Sequence, residues 1–182
     1  MGSSSGEQAV SGPPRMVGVL GKDLKVRIRD AAAIGYLVSK EYGVRENEHV
    51  ALDPVEALYL LRRGALVVKD EQGRELTFAD LVTMYSEKDP ELWVKLEIYA
   101  DLRKRGLYAK PSYMPGPVFL VDRKKKDKVE RFIVYVFIEG RRIGFTELEK
   151  AFERARASGR ELVVAVVDKE GNVSYYRVTK MT

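Results

Sequence analysis

The residues best suited to chemistry in this chain crowd one short stretch. Asp122, Asp127 and Glu130 surround the cationic run Arg123-Lys124-Lys125-Lys126. Clustered carboxylates can hold Mg²⁺ and direct water at a phosphodiester. Adjacent cations can contact phosphates with salt-dependent affinity. Both features have plainer uses: the lysines can pair with the acids, and a charged hairpin tip keeps a strand edge from aggregating. Proton transfer is poorly equipped, because the only histidine, His49, lies in the other half of the chain. Glu46 and Glu48 beside it are too common a surface pattern to make a metal site. There is no cysteine, which excludes disulfides, zinc–thiolate sites and thiol catalysis. No Walker loop, GxGxxG or HExxH motif is present. Neither a cofactor nor a bound metal is expected.

Charge is divided unevenly. Residues 1–100 carry 13 Lys and Arg against 16 Asp and Glu, a net −3, whereas residues 101–182 carry 19 against 11, a net +8. That asymmetry points to a phosphate-rich partner, or to docking between surfaces of opposite charge. Hydrophobic residues make up 45% of the 182, enough for packed cores. No apolar run approaches the roughly 20 residues needed to cross a bilayer. No signal peptide is visible, so a cytoplasmic protein without a membrane partner is expected.

The elements that must position these groups are legible in part. Residues 1–15, rich in Ser, Gly and Pro, read as a mobile tail. Val17–Ile28 predicts two short strands turning near Gly21-Lys22-Asp23, and Asp30 caps a helix expected to reach Tyr42, stopped by Gly43. Asp53-Pro54-Val55-Glu56 combines a cap, a first-turn proline and an acid three residues on, and so predicts a helix ending at Gly64. Asp89-Pro90-Glu91-Leu92 predicts a longer helix through Arg105. Strands are expected at Val118–Asp122 and Arg131–Ile138, a helix from Thr146 to Ser158, and strands at Glu161–Val167 and Val173–Thr179. The sum is an α/β (α+β) protein of two small mixed domains, 16–88 and 89–182, with the helix 89–105 connecting them. The last strand carries Val173, Tyr175, Tyr176 and Val178, apolar or aromatic on both faces, the pattern of a subunit interface.

Three segments together resemble the archaeal tRNA-splicing endonuclease family: Tyr99-Ala100-Asp101-Leu102-Arg103-Lys104-Arg105-Gly106, then Gly116-Pro117-Val118-Phe119-Leu120-Val121, then Leu162 through Tyr176 with its Asp168-Lys169-Glu170-Gly171-Asn172 turn. Glu56-Ala57-Leu58-Tyr59-Leu60-Leu61 is similar to the family's amino-terminal domain. The resemblance implies a small amino-terminal α/β domain followed by a nuclease-like one. It also implies metal-independent cutting of bulge–helix–bulge introns in precursor tRNA, leaving 2′,3′-cyclic phosphate and 5′-hydroxyl ends. In that family a tyrosine activates the 2′-hydroxyl, a histidine protonates the leaving oxygen and a lysine stabilises the pentavalent phosphate.

Here the tyrosine position holds Asp122, the lysine position holds Arg160, and Val129–Val134, where the histidine should stand, contains none. The chain therefore resembles the family's structural subunit, which pairs two-and-two with a catalytic subunit. By the same resemblance, the strand around Val173–Val178 would join subunits, and Asp168 with Glu170 would enter a basic pocket of a neighbour. Two other readings stay open: a stand-alone RNA-binding module using Arg123, Lys124, Lys125 and Lys126, and a metal nuclease built on Asp122 and nearby acids.

Overall fold

A computed structural model describes residues 15–114 and 116–180. All of the expected amino-terminal tail except Arg15 lies outside the described residues. The first sheet comprises β1 (Met16–Leu20), β2 (Val26–Ile28), β3 (Val44–Glu46), β4 (His49–Leu52), β5 (Leu66–Lys69) and β6 (Glu75–Leu76), in the order β3-β4-β2-β1-β5-β6. Its helices are α1 (Ala31–Ser39), α2 (Pro54–Arg62) and α3 (Phe78–Ser86). Along β1, Met16 and Leu20 are buried while Val17 and Val19 are exposed, the period-two pattern of a strand with one covered face. Gly18 sits on the covered face, and a Cβ there would stand 2.4 Å from Val26 Cγ1, so β1 and β2 can lie this close only over a glycine.

The second half opens with α4 (Leu92–Lys104), followed by β7 (Tyr108–Pro111), β8 (Val118–Lys124), β9 (Val129–Ile138), α5 (Phe145–Ala157), β10 (Glu161–Val167) and β11 (Val173–Val178). The sheet order is β11-β10-β9-β8-β7, antiparallel throughout except for the parallel β9–β10 pair that α5 connects. Helix α5 covers one face with Ala151 and Ala155, and α4 covers the other with Leu96, Tyr99 and Leu102. The mixed α/β class and the two-sheet plan match the sequence expectation.

Several local expectations change. Helix α1 stops at Ser39, three residues short of Tyr42, because Glu41 takes the left-handed conformation (φ 56°) and Tyr42 N donates back to Leu37 O. Helix α3 was not anticipated, although Thr77 and Asp80 cap it reciprocally: Asp80 N donates to Thr77 Oγ1 and Thr77 N to Asp80 Oδ2. Asp89 does not cap α4. It closes the preceding turn, accepting from Glu91 N, and its other oxygen takes Lys95 Nζ at 2.8 Å. Helix α5 is capped at Gly144 without a side-chain bond, so Thr146 falls in its first turn.

The two halves share one continuous core. Buried residues from Met16 to Val167 belong to a single cluster threaded by α4. Tyr36, Tyr42, Tyr59, Tyr99 and Phe119 form a chain of aromatic contacts across the junction, with centroids 5.3–6.4 Å apart. Arg103 fastens the same joint. Its guanidinium donates to Lys40 O, Glu41 O and Ala109 O and to the Tyr99 hydroxyl, and it lies 4.0 Å from the Tyr42 centroid.

Glu56, only 2% exposed, accepts from Gly43 N and from Asp53 N at 3.0 Å each. Burial outweighs these two bonds and pushes its carboxyl up from 4.5 to about 7. A folded-state value above the unfolded one means that stability present below pH 4.5 is lost as pH rises through 7, by about 3 kcal/mol in all. Urea midpoints should therefore fall between pH 5 and 8 in the native chain. Glu56→Gln should be less stable but lack that slope, and an unchanged slope in the variant would assign it to another group.

Candidate functional site

Asp122 and Arg160 meet. Asp122 sits on β8 directly opposite Arg131 of β9, and Arg160 sits in the turn from α5 to β10, shaped by Gly159 (φ 65°) and by Arg160 N donating to Ala155 O. Arg160 Nη1 reaches Asp122 Oδ1 at 2.8 Å and Phe132 O at 3.2 Å. Both side chains are mostly covered, 24% and 18% exposed. The guanidinium is a donor-only fork, and one of its nitrogens serves both the carboxylate and the Phe132 carbonyl. The arrangement is a partly covered ion pair that ties β8 to the turn between α5 and β10. Along Val129–Val134 no histidine approaches it. His49 belongs to β4 in the first sheet, its Nε2 3.1 Å from Glu46 Oε2.

The acids around Asp122 do not converge. Directly paired residues point to the same side of an antiparallel sheet, so Asp122 and Arg131 share the α5 face, whereas Arg123 and Glu130 share the α4 face. Asp122 and Glu130 therefore stand on opposite sides of β8–β9 and cannot hold one ion between them. Among the described residues, no group of three His, Cys, Asp or Glu is placed to bind a metal.

Strand β8 runs on to Lys124, so two of the four run cations lie in the strand itself. Glu130 collects Arg123 at 3.4 Å, Lys125 at 2.8 Å and Lys128 at 3.3 Å, and the two lysines, Lys125 first, hold its carboxyl down to about 2. Lys124 pairs with Glu41 of the first half and lies 4.2 Å from the Tyr108 centroid. Lys126 alone of the run has no carboxylate partner among the described residues. Exposed pairs are worth about 0–1 kcal/mol each, so phosphates can displace these carboxylates. The run thus pins the hairpin through pairs that an anion could displace.

At the other end of the sheet, Asp168 organises its own turn. Its Oδ1 accepts from Glu170 N and Asn172 N, its Oδ2 accepts from Asn172 Nδ2, and these bonds lower its pKa. Gly171 supplies the left-handed position (φ 86°). Of the two acids, Glu170 is the one left projecting. Among the described residues, strand β11 pairs only with β10, which leaves its outer edge open there. Val173 and Tyr175 face α4, where the Tyr175 hydroxyl donates to Asp101 Oδ2 at 2.6 Å. Tyr176, 58% exposed, lies on the α5 face with Val178, which lines a groove with Phe145, Leu148 and Phe152. An open strand edge beside an apolar groove is the geometry of strand pairing between chains.

Both halves of the chain match models of one protein family. Residues 16–82 match the model of the tRNA intron endonuclease N-terminal domain, and residues 92–175 match that of the tRNA intron endonuclease catalytic C-terminal domain. The chain belongs to the tRNA intron endonuclease family. The tRNA-splicing endonuclease of Thermococcus onnurineus is 32% identical over 147 residues, which cover 80% of this chain and 85% of that protein. That of Pyrococcus furiosus is 33% identical over 141 residues, covering 78% and 82%. That of Methanococcus vannielii is 31% identical over 158 residues, covering 86% and 89%. Within the family's C-terminal domain lie Asp122, Arg160, Asp168, Glu170 and Tyr175, with Tyr176 and Val178 just past the match. The contacts that sequence reasoning missed, Lys124 with Glu41 and Arg103 with Lys40 and Glu41, join residues more than 60 positions apart. No local signal announces such contacts.

Proposed function

We propose that this member of the tRNA intron endonuclease family is a structural, catalytically inactive subunit. It assembles two-and-two with a catalytic subunit that cuts bulge–helix–bulge introns from precursor tRNA. The observation that carries the reading is the Asp122–Arg160 ion pair, at the two positions where the resemblance would put the family's tyrosine and lysine. It turns two reacting positions into a mutual contact, and no imidazole is supplied beside it. The open edge of β11, the groove at Phe145 and Phe152, and the projecting Glu170 support a role in assembly. The cations at Arg123–Lys126 support contact with the RNA backbone.

Assembly is the test. Light scattering on the chain mixed with a catalytic subunit of the family should give the mass of a heterotetramer, and two non-interacting species would refute the proposal. Glu170→Lys should shift the mixture toward dimers while leaving the monomer's thermal transition unchanged, because Glu170 projects from the turn. Asp168→Lys is the less clean variant, since it also removes three hydrogen bonds that shape the turn. Full tetramer mass in Glu170→Lys would remove the acidic turn from the interface.

A further inference from the structure

The turn after α1 is where the second half grips the first. Arg103 of α4 donates to Lys40 O and Glu41 O, Lys124 of β8 pairs with the Glu41 carboxylate, and Lys110 Nζ of β7 lies 3.5 Å from Gly43 O. From its own half, a single side chain among the described residues bonds to the backbone of this turn. Glu56 Oε1 accepts from Gly43 N, while Oε2 accepts from Asp53 N just before α2. A cleft of about 280 Å³ adjoins the carboxyl, with Gly43, Asp53 and Glu56 on the side of the first half and Lys110, Ser112 and Tyr113 on that of the second. Glu56 itself is only 2% exposed, so the closed cleft leaves it nearly dry.

We propose that Glu56 is a proton-controlled latch on this joint. Neutral, it keeps residues 40–43 seated; charged, it draws water through the cleft, and these residues lift from α2 while both sheets stay folded. A carboxylate offers about four acceptor sites, and here the described residues supply two amide donors and no bonded cation. The groups facing it do not make up the difference. Asp53 adds a like charge, and Arg103 favours the anion only through space, its hydrogen bonds going to three carbonyls and the Tyr99 hydroxyl. Burial pushes the phenols of Tyr42 and Tyr99 up, so both stay uncharged, and the Tyr59 hydroxyl is taken by Arg63. Lys25 is set 5.9 Å from the Tyr113 centroid and Lys110 against Gly43 O, and neither bonds to Glu56. Val44, Ala51 and Leu120, from β3, β4 and β8, bring no charge to the cleft.

Water is the remaining partner, and the cleft is its shortest way in. Opening there gives up the Gly43 bond and the contacts of one turn, whereas unfolding gives up the whole core. In the closed joint the carboxyl is held up at about 7, and in an open, hydrated joint it returns toward 4.5. The closed joint therefore binds the proton more tightly, and opening becomes easier as pH rises. Between pH 5 and 8 the open-to-closed ratio should grow by about 70-fold. The latch stands on the joint alone and does not depend on the proposed function.

The test is amide hydrogen exchange on the full-length chain, followed by NMR from pH 5 to 8 at low urea, with reclosing faster than exchange. After correction for intrinsic rates, protection of the Gly43 amide should fall by about 70-fold across that range. It should also vary little with urea, the mark of a local opening. Amides in the centre of β10 should exchange only through the urea-dependent global opening. In Glu56→Gln, whose amide does not titrate, protection of Gly43 should change by less than about 3-fold from pH 5 to 8. The urea dependence in the native chain decides independently of how that variant folds. Exchange of Gly43 only through the global opening overturns the proposal. So does a local opening without the pH slope, or a slope that survives in Glu56→Gln.

Discussion

A bulge–helix–bulge RNA incubated with this chain alone should remain intact, and addition of a catalytic subunit should raise metal-independent cleavage by about 10⁴-fold or more. On the proposed reading two proton-transfer groups are replaced or missing, and each typically contributes about 10²–10⁴-fold. Groups that act as a unit do not multiply simply, so the lower end of the combined range is the figure to test. Arg160 supplies a cation where the resemblance would put a lysine, and it is already committed to Asp122 Oδ1 and Phe132 O. The measurement is a gel assay in excess chelator on each protein and on the mixture. Cleavage by the isolated chain in chelator would show that other residues carry the reaction. Cleavage that needs Mg²⁺ and vanishes in Asp122→Asn would favour the metal reading, against the opposite placement of Asp122 and Glu130 on the sheet.

Arg103→Ala should destabilise the chain by about 2–4 kcal/mol and uncouple its halves. The guanidinium makes hydrogen bonds to three backbone carbonyls and one hydroxyl, drawn from the turn after α1, from β7 and from α4, while packing on the Tyr42 ring. Hydrogen bonds to charged groups contribute about 1.5–3 kcal/mol each when sheltered, and partial exposure here reduces the sum. Truncation would leave the carbonyls of Lys40, Glu41 and Ala109 without this donor. Arg103→Lys should recover only part of the loss, because one ammonium cannot span the three carbonyls that the planar fork reaches. Lys104→Ala, next in sequence and exposed, should stay within about 0.5 kcal/mol of the native chain. Urea unfolding followed by tyrosine fluorescence and by circular dichroism should coincide in the native chain and separate in Arg103→Ala. Coincident, unshifted curves in the variant would show that the aromatic chain alone holds the joint.

Much of the fold is local and therefore legible. The Asp53-Pro54-Val55-Glu56 signal works as expected, and β10 occupies the expected residues Glu161–Val167, because caps, prolines and alternation act within a few residues of themselves. Helix α3 escaped because its reciprocal cap uses aspartate at the third position instead of the usual glutamate. Helix α1 ran short because a non-glycine residue, Glu41, took the left-handed position two residues before Gly43. The acidic turn was legible as a turn, but the different duties of its two acids were not. Asp168 spends its oxygens on its own backbone, which only the closed geometry of the turn reveals.

By itself the sequence determined which side chains this protein has to work with: no cysteine, one histidine, and aspartate and arginine at the positions where the resemblance expects tyrosine and lysine. It also set the alternation and capping that make two mixed α/β halves, and the positive charge of the second half. Tertiary structure decided what those residues do. Strand register placed Asp122 and Glu130 on opposite faces, made Glu130 the common partner of three cations and brought Arg160 to Asp122 across 38 positions. Helix packing turned Arg103 from a helix-end charge into the clamp between halves. The physical reason is range. Backbone preferences are settled by neighbours within about one helical turn or one strand pair, whereas an ion pair exists only where the finished fold brings two distant side chains within about 4 Å.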